Sequence, residues 1–237
     1  MLIEDRAICL DSITPSRSQR QQRPQPPSNM AFYADHPYAL IPTPAFQNSQ
    51  NEKETSEPDM FVRVASEMAL VHNMAIRGLN SIYLQAPHVP AAESRAFLRY
   101  VLAWHDLLHV HHSGEEADLF PAIEAMAGQA GLMDGNVSQH EEFRDGLAAF
   151  KAYVDACASG REQLDGARLV ALIDGFGGPL ARHLGDEIPS ILGLRLFGAD
   201  KMAGLEQKFA EEGEKNMVSR PPPSRRLTAM PGLLVVR

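Results

Sequence analysis

Between residues 59 and 217 the apolar side chains recur every three or four positions, and this period sets the fold class before any other feature is considered. One stripe runs Phe61, Ala65, Met68, position 72, Ile76, Leu79 and Tyr83. A second runs Phe97, Val101, Trp104, Leu108, positions 111 and 115, Leu119, Ala122 and Met126. The third holds Met133, Val137, position 140, Phe143, Leu147, Phe150 and Val154, and the fourth Leu169, Ile173, Phe176, Leu180, positions 183 and 187, Ile191 and Leu194. No segment shows the period-two alternation of a half-buried strand. Proline agrees with this reading: twelve of the 17 prolines lie outside 59–217, where they remove no helical hydrogen bond. The chain is predicted to be all-α, with helices near 59–86, 91–127, 134–158 and 164–196 and a weaker charged helix near 200–215. Breaks fall at Ala86-Pro87 to Pro90, at Gly128 to Gly135 and at Ser159-Gly160. Four long amphipathic helices with short connections favour an up-down-up-down four-helix bundle.

The flanks read differently. Residues 1–58 form a Pro-rich N-terminal arm, expected to be mostly irregular: SRSQRQQRPQPPS is polar, and FYADHPYALIPTP alternates aromatics with prolines. Phe32, Tyr33, Tyr38, Leu40 and Ile41 suit extended packing along a helical surface, so 31–46 is expected to be partly ordered and 1–29 not. Residues 59–217 then make the bundle with a short C-terminal helix, and 218–237 an irregular tail.

Charge and composition exclude several classes. The net charge is −8, and the central segment is more acidic than the whole because the C-terminal tail carries arginines and no acids. That is the opposite of a nucleic-acid footprint. No run approaches the roughly 18 to 20 apolar residues of a membrane span, so no membrane partner is expected. Glu4, Asp5, Arg6 and Asp11 interrupt any secretory h-region, which makes a cytoplasmic protein the expectation. Cys9 and Cys157 form no disulfide framework and no CxxC motif.

Histidine is distributed inversely to proline, with eight of nine inside 59–217. The gaps in the stripes hold His72, His111, Glu115, His140, His183 and Glu187. The second and fourth helical stretches share His-x-x-x-Glu, as His111 to Glu115 and His183 to Glu187. Four residues rotate about 400°, so the second side chain sits one turn along and about 40° around from the first. Buried carboxylates without partners are costly, and a cation removes that cost. Zinc would use about four of the six groups in a closed tetrahedral shell. Six nitrogen and oxygen donors, with carboxylates facing each other, better suit two metals bridged by both carboxylates, and ligation without thiolate points to iron, with manganese second. His105, His109 and His112 lie on a neighbouring face, and His112 with Glu116 forms an alternative register ranked below 111/115. His112, Glu116, Glu141 and Asp186 are candidates for orienting ligand imidazoles. Pro179 and Pro189 are expected to kink the fourth helix.

VHNMAIRGLN around His72, HHSGEEADLFP from His111, QHEEF around His140 and RHLGDEIP from His183 together resemble the hemerythrin-like proteins with an HHE cation-binding domain, over about 59–196. FYADHPYALIPTP and LNSIYLQAPHVP look like the fungal branch of that family. The resemblance implies that His72 and His111 ligate one iron and His140 and His183 the other, with Glu115 and Glu187 bridging. The oxygen-carrying members place one more histidine a turn before the equivalent of His140, and here that position is Asn136. The departure leaves about two histidines per metal and an open position, which favours inner-sphere redox chemistry over reversible oxygen carriage. The expected function is therefore a non-haem dinuclear iron protein that binds O2 or a related small oxidant. It would draw on an unidentified electron donor, with a non-catalytic carrier or sensor as the alternative.

Overall fold

The computed structural model describes residues 34–51 and 58–218, so the expectations for 1–29 and for the tail beyond 218 fall outside the described residues. The described residues form seven α-helices: α1 (Pro44–Asn51), α2 (Met60–Gln85), α3 (Ser94–Gly114), α4 (Phe120–Ala127), α5 (Asp134–Ala158), α6 (Gly166–Gly193) and α7 (Leu205–Val218). There is no strand among the described residues. Helices α2, α3, α5 and α6 form the bundle, with contacts closing a ring from α2 to α3 to α5 to α6 and back to α2. Each is the spatial neighbour of the next in sequence, as the up-down-up-down order requires.

The helix ends have local causes. The Asp59 carboxylate accepts from Val62 N at 2.9 Å, and Asp165 accepts from Ala167 N and Arg168 N at 2.9 and 3.1 Å, each capping an N-terminus. Helix α4 ends at Gly128, whose φ of 65° is the left-handed conformation that glycine adopts without a Cβ clash. Pro179 and Pro189 do not break α6, which runs on through both as one helix of 28 residues.

The second helical stretch does differ from its expected form. It is interrupted by a π turn over Glu115–Leu119, where Phe120 N bonds to Glu115 O. A π turn inserts one residue into the winding and so shifts the phase of everything after it by about 100°. The stripe expected to continue through Ala122 and Met126 is therefore carried instead by Phe120, Ile123 and Ala127, all buried. Pro121, with no N–H to offer the preceding turn, sits just after this insertion.

Two apolar clusters fill the bundle. One gathers Ile76, Leu79, Trp104, Leu108, Phe143, Phe150, Ile173 and Phe176; the other gathers Phe61, Met68, Leu119, Phe120, Ile123, Met133, Ile188 and Ile191. On α2, α3 and α5 the candidate ligands lie between the two sets, and on α6 they lie where the sets meet. The polar layer is thus enclosed above and below.

The arm is held by a ladder of three polar side chains on α2. Asn80 accepts from Tyr38 N at 3.0 Å and donates to Ala34 O and Tyr38 O. Asn73 accepts from Ile41 N at 2.7 Å and donates to Ile41 O, and Ser66 Oγ accepts from Ala45 N at 2.9 Å. Positions 66, 73 and 80 are seven apart and share one helix face. Seven helical residues advance about 10.5 Å and three extended residues about 9.9 Å, so the antiparallel arm keeps step with the ladder. Tyr38 also lies against Gly177, where a Cβ would collide with its hydroxyl, and burial pushes its pKa up to about 12. Beyond Pro42 the arm winds into α1, a helix inside the segment expected to be irregular. Asn80→Ala is expected to cost about 2 to 3 kcal/mol, because it strips three hydrogen bonds and leaves backbone groups unpaired. Urea unfolding reads the loss, and limited proteolysis should show faster cleavage between residues 34 and 43; unchanged cleavage would mean the ladder does not hold the arm.

Candidate metal centre

At mid-bundle every long helix turns an imidazole inward. His72 comes from α2, His111 and His112 from the last turn of α3, His140 from α5 and His183 from α6, with Glu115 at the start of the π turn and Glu187 on α6. All are buried except His111, whose side chain is 11% exposed. One nitrogen or oxygen from each of His112, Glu115, His140 and His183 lies within 4.8 Å of the others, and the same holds for His72, His111 and Glu115. Glu115 belongs to both groups. Its Oε1 is 3.0 Å from His111 Nε2 and its Oε2 is 3.7 Å from His140 Nε2. Glu187 likewise reaches both sides, with Oε2 at 3.4 Å from His72 Nε2 and 3.8 Å from His183 Nε2.

The six residues expected from the stripes are thus brought into one layer. His112, ranked below His111 in sequence, stands beside it, and the two registers are not alternatives. Relative to His111, Glu115 is one turn on and about 40° around; relative to His112 it lies about 60° the other way. It therefore sits between the two imidazoles, and the pattern His-His-x-x-Glu was the signal available in sequence. Glu116 instead holds a ring from outside the layer, with its Oε1 2.6 Å from His140 Nδ1. Asn136, one turn before His140, is buried with its Nδ2 unpaired. The imidazole missing there is offset by His112, so one group holds three histidines where two had been expected.

Outer partners fix the ring orientations. His72 Nδ1 donates to Leu184 O at 2.7 Å, His140 Nδ1 faces Glu116, and His183 Nδ1 lies 3.2 Å from Gln139 Oε1, whose own Nε2 donates to Asp186 Oδ2 at 3.0 Å. Holding the proton on Nδ1 leaves Nε2 bare and pointed at the layer, the tautomer a metal ligand needs. Of the other proposed orienting groups, Asp186 acts through Gln139, and Glu141 is an exposed partner of Arg144. His105 and His109 stack on each other and belong to neither donor group, and His88 is exposed.

The electrostatics are those of a site that wants a cation. Burial lowers the pKa of His72 and His112 well below the ordinary value and that of His183 to about 3. Burial also depresses His111 and His140. Glu115 and Glu187 are pushed well above the carboxylate range, first by burial and then by neighbouring carboxylates. All four of their oxygens lack a hydrogen-bond partner although imidazole nitrogens lie 3.0 to 3.8 Å away. Donor spacing tests the fit directly. His72 and His111 Nε2 are 3.0 Å apart, as are His140 and His183 Nε2. Ligands about 2.1 Å from an ion stand about 3.0 Å apart at right angles and about 3.4 Å apart in a tetrahedron. Each nitrogen pair is therefore close enough to share one cation.

A cavity of about 730 Å³ reaches this layer from one side, with His111 and Glu115 in its wall. Its other walls come from α2, α3 and α7, including Met68, Val71, Leu107, Val110, Phe209 and Glu212. Helix α7 is tied across the cavity at both ends, by Arg63 to Glu206 at 2.6 Å and by Lys215 to Asp118 at 2.9 Å. No helix among the described residues is long and apolar enough to cross a membrane.

The hemerythrin HHE cation-binding domain matches residues 63–189, more than half of the chain. The chain is also similar to the "Dimeric xanthone biosynthesis cluster protein R11" of Cryptosporiopsis sp. (strain 8999), being 32% identical over 168 residues. That alignment covers 70% of this chain and 63% of the relative, so the chain spans less than two thirds of the relative's length. No solved structure matches the chain at a significant level. The matched span includes every imidazole and carboxylate of the buried layer, and cation binding is the coarse function that goes with it. The chain belongs to the hemerythrin HHE cation-binding family.

Proposed function

We propose that this chain is a non-haem dinuclear iron protein that performs redox chemistry with O2 or a related small oxidant, using an electron donor yet to be identified. The observation that carries the reading is the sharing of Glu115 between two donor groups, with both its oxygens free of hydrogen bonds. His72 and His111 would hold one ion, His112, His140 and His183 the other, and Glu115 and Glu187 would bridge them. Iron bound in this way supplies one-electron redox chemistry and open positions for a small oxidant. Manganese is the second choice on the same donor set.

The chain's own contributions follow from the geometry. Burial keeps the imidazoles neutral, so their Nε2 lone pairs are available at ordinary pH. Leu184 O, Glu116 and Gln139 hold the Nδ1 atoms and fix three rings against rotation. Glu115 and Glu187 hold protons until a cation displaces them, and the two apolar clusters close the layer above and below. The cavity beside His111 and Glu115 favours turnover over storage, since a carrier of O2 needs no space of drug-like size. The name of the fungal relative associates that protein with a biosynthetic cluster; oxidation of an organic molecule is the function class we carry to this chain.

The test is metal content and spectrum. Purified protein should hold about two irons per chain with a near-ultraviolet oxo-to-iron band, and the reduced protein should consume oxygen or peroxide repeatedly when given an electron donor. A single tightly held zinc would sink the dinuclear reading; one stoichiometric, reversible uptake of O2 would support the carrier instead.

A further inference from the structure

The cavity beside the metal layer has a chemical asymmetry. Its walls are largely aliphatic and thioether side chains, Met68, Val71, Leu107 and Val110, closed by the Phe209 ring. Set among them is Glu212 on α7, a carboxylate only 6% exposed, whose Oε2 accepts no hydrogen bond. Lys215 Nζ makes a long ion pair with that oxygen at 3.8 Å, beyond hydrogen-bond range, and donates its hydrogen bond to Asp118 at 2.9 Å. Nor is Glu212 part of either donor group in the buried layer. A buried carboxylate oxygen without a donor is costly, and the simplest remedy is a ligand that brings one.

We propose that this cavity is a substrate site for a flat, mostly apolar ring compound bearing a hydroxyl, whose O–H donates to Glu212 while the ring lies between Met68 and Phe209. This rests on the redox reading of the metal layer, since the site gains its purpose from adjoining His111 and Glu115. The volume of about 730 Å³ is that of a small-molecule pocket and far exceeds what O2 or peroxide needs. Thioether sulfur and an aromatic ring suit ring faces. Met74, 51% exposed, marks the rim through which such a compound would enter.

The probes are 2-naphthol and naphthalene, which differ by one hydroxyl. Binding of each to the full-length metal-loaded chain is measured by equilibrium dialysis, with metal content determined on the same preparations. Wild type should bind 2-naphthol about tenfold or more tightly than naphthalene, the usual worth of a hydrogen bond to a buried charge. Glu212→Leu should bring the two within about twofold while keeping naphthalene binding and bound metal, since only the hydroxyl contact is lost. Glu212→Gln, which retains an acceptor oxygen, should restore most of the preference. Val110→Trp should weaken both probes at least about tenfold by filling the cavity, with circular dichroism confirming the helices. Equal binding of the probes by wild type, undiminished preference in Glu212→Leu, or full binding by Val110→Trp overturns the assignment. So does loss of metal in Glu212→Leu, which would make Glu212 a ligand. A preparation that holds no metal yet discriminates the probes through Glu212 supports the pocket and overturns the metal reading, so the two fail separately.

Discussion

Replacing Glu115 with glutamine is expected to lower bound iron from about two ions to below one per chain, the largest metal effect of any single substitution. Glutamine keeps the shape of the side chain and one carbonyl oxygen but loses the charge that both donor groups share. His111→Ala, by contrast, removes one donor from one side, so about one ion should remain. The metal-free Glu115→Gln chain should be no less stable than metal-free wild type, because burial already holds Glu115 in its neutral form. Elemental analysis of the purified variants, with urea unfolding after chelation, checks both halves. A Glu115→Gln chain that retains its full complement would show that Glu115 does not bridge.

Chelation should also change thermal stability and its dependence on pH. Free metal at about a thousand times its dissociation constant stabilises the native state by about 4 kcal/mol per site. In a chain of this size that corresponds to a midpoint shift of about 8 to 16 °C. The metal-free chain then has the pH profile of its buried groups. The five imidazoles have folded pKa values below their ordinary 6.5, so the stability they contribute is present above that value and declines as pH falls below it. For His183 the decline extends from 6.5 down to about 3. Glu115 and Glu187 act in the other sense. Their folded values are raised, so their contribution is present at low pH and is lost as pH rises through those values. Metal removes that loss by stabilising the ionised carboxylates, whereas acid releases the metal as protons compete for the same atoms. Thermal melts with and without chelator between pH 4 and pH 9 read this directly; parallel curves would contradict it.

How legible this was in sequence depended on whether a feature keeps a single period. The fourth stripe could be read from end to end, because α6 is continuous: Leu169, Ile173, Phe176, Leu180, His183, Glu187, Ile191 and Leu194 are all buried. The second stripe was legible as far as Leu119, which is buried as expected. Past that point the π turn displaces the pattern, and no count based on 3.6 residues recovers Phe120 and Ile123. His112 was underrated for a related reason. A search along one stripe asks which residue faces inward, whereas Glu115 is flanked by two, one on each side of its own direction. The order in the arm was visible through Tyr38, Leu40 and Ile41, which pack on the bundle core as expected. Helix α1 was not, because Pro42 and Pro44 read as helix breakers although Pro44 opens the first turn, where its missing N–H costs nothing.

The ladder on α2 also sets how the arm follows it. Its two pitches differ by about 0.6 Å per rung, while the useful range of an N–H···O distance is only about 0.5 Å wide. Side-chain rotation at each rung takes up that difference, so all three rungs close at 2.7 to 3.0 Å. Tyr38 and Ile41 are matched three residues apart, but the next rung is reached only at Ala45, four residues on, after the chain has begun to coil. The third rung is thus made from the first turn of α1, where four coiling residues span the step that three extended ones span before it.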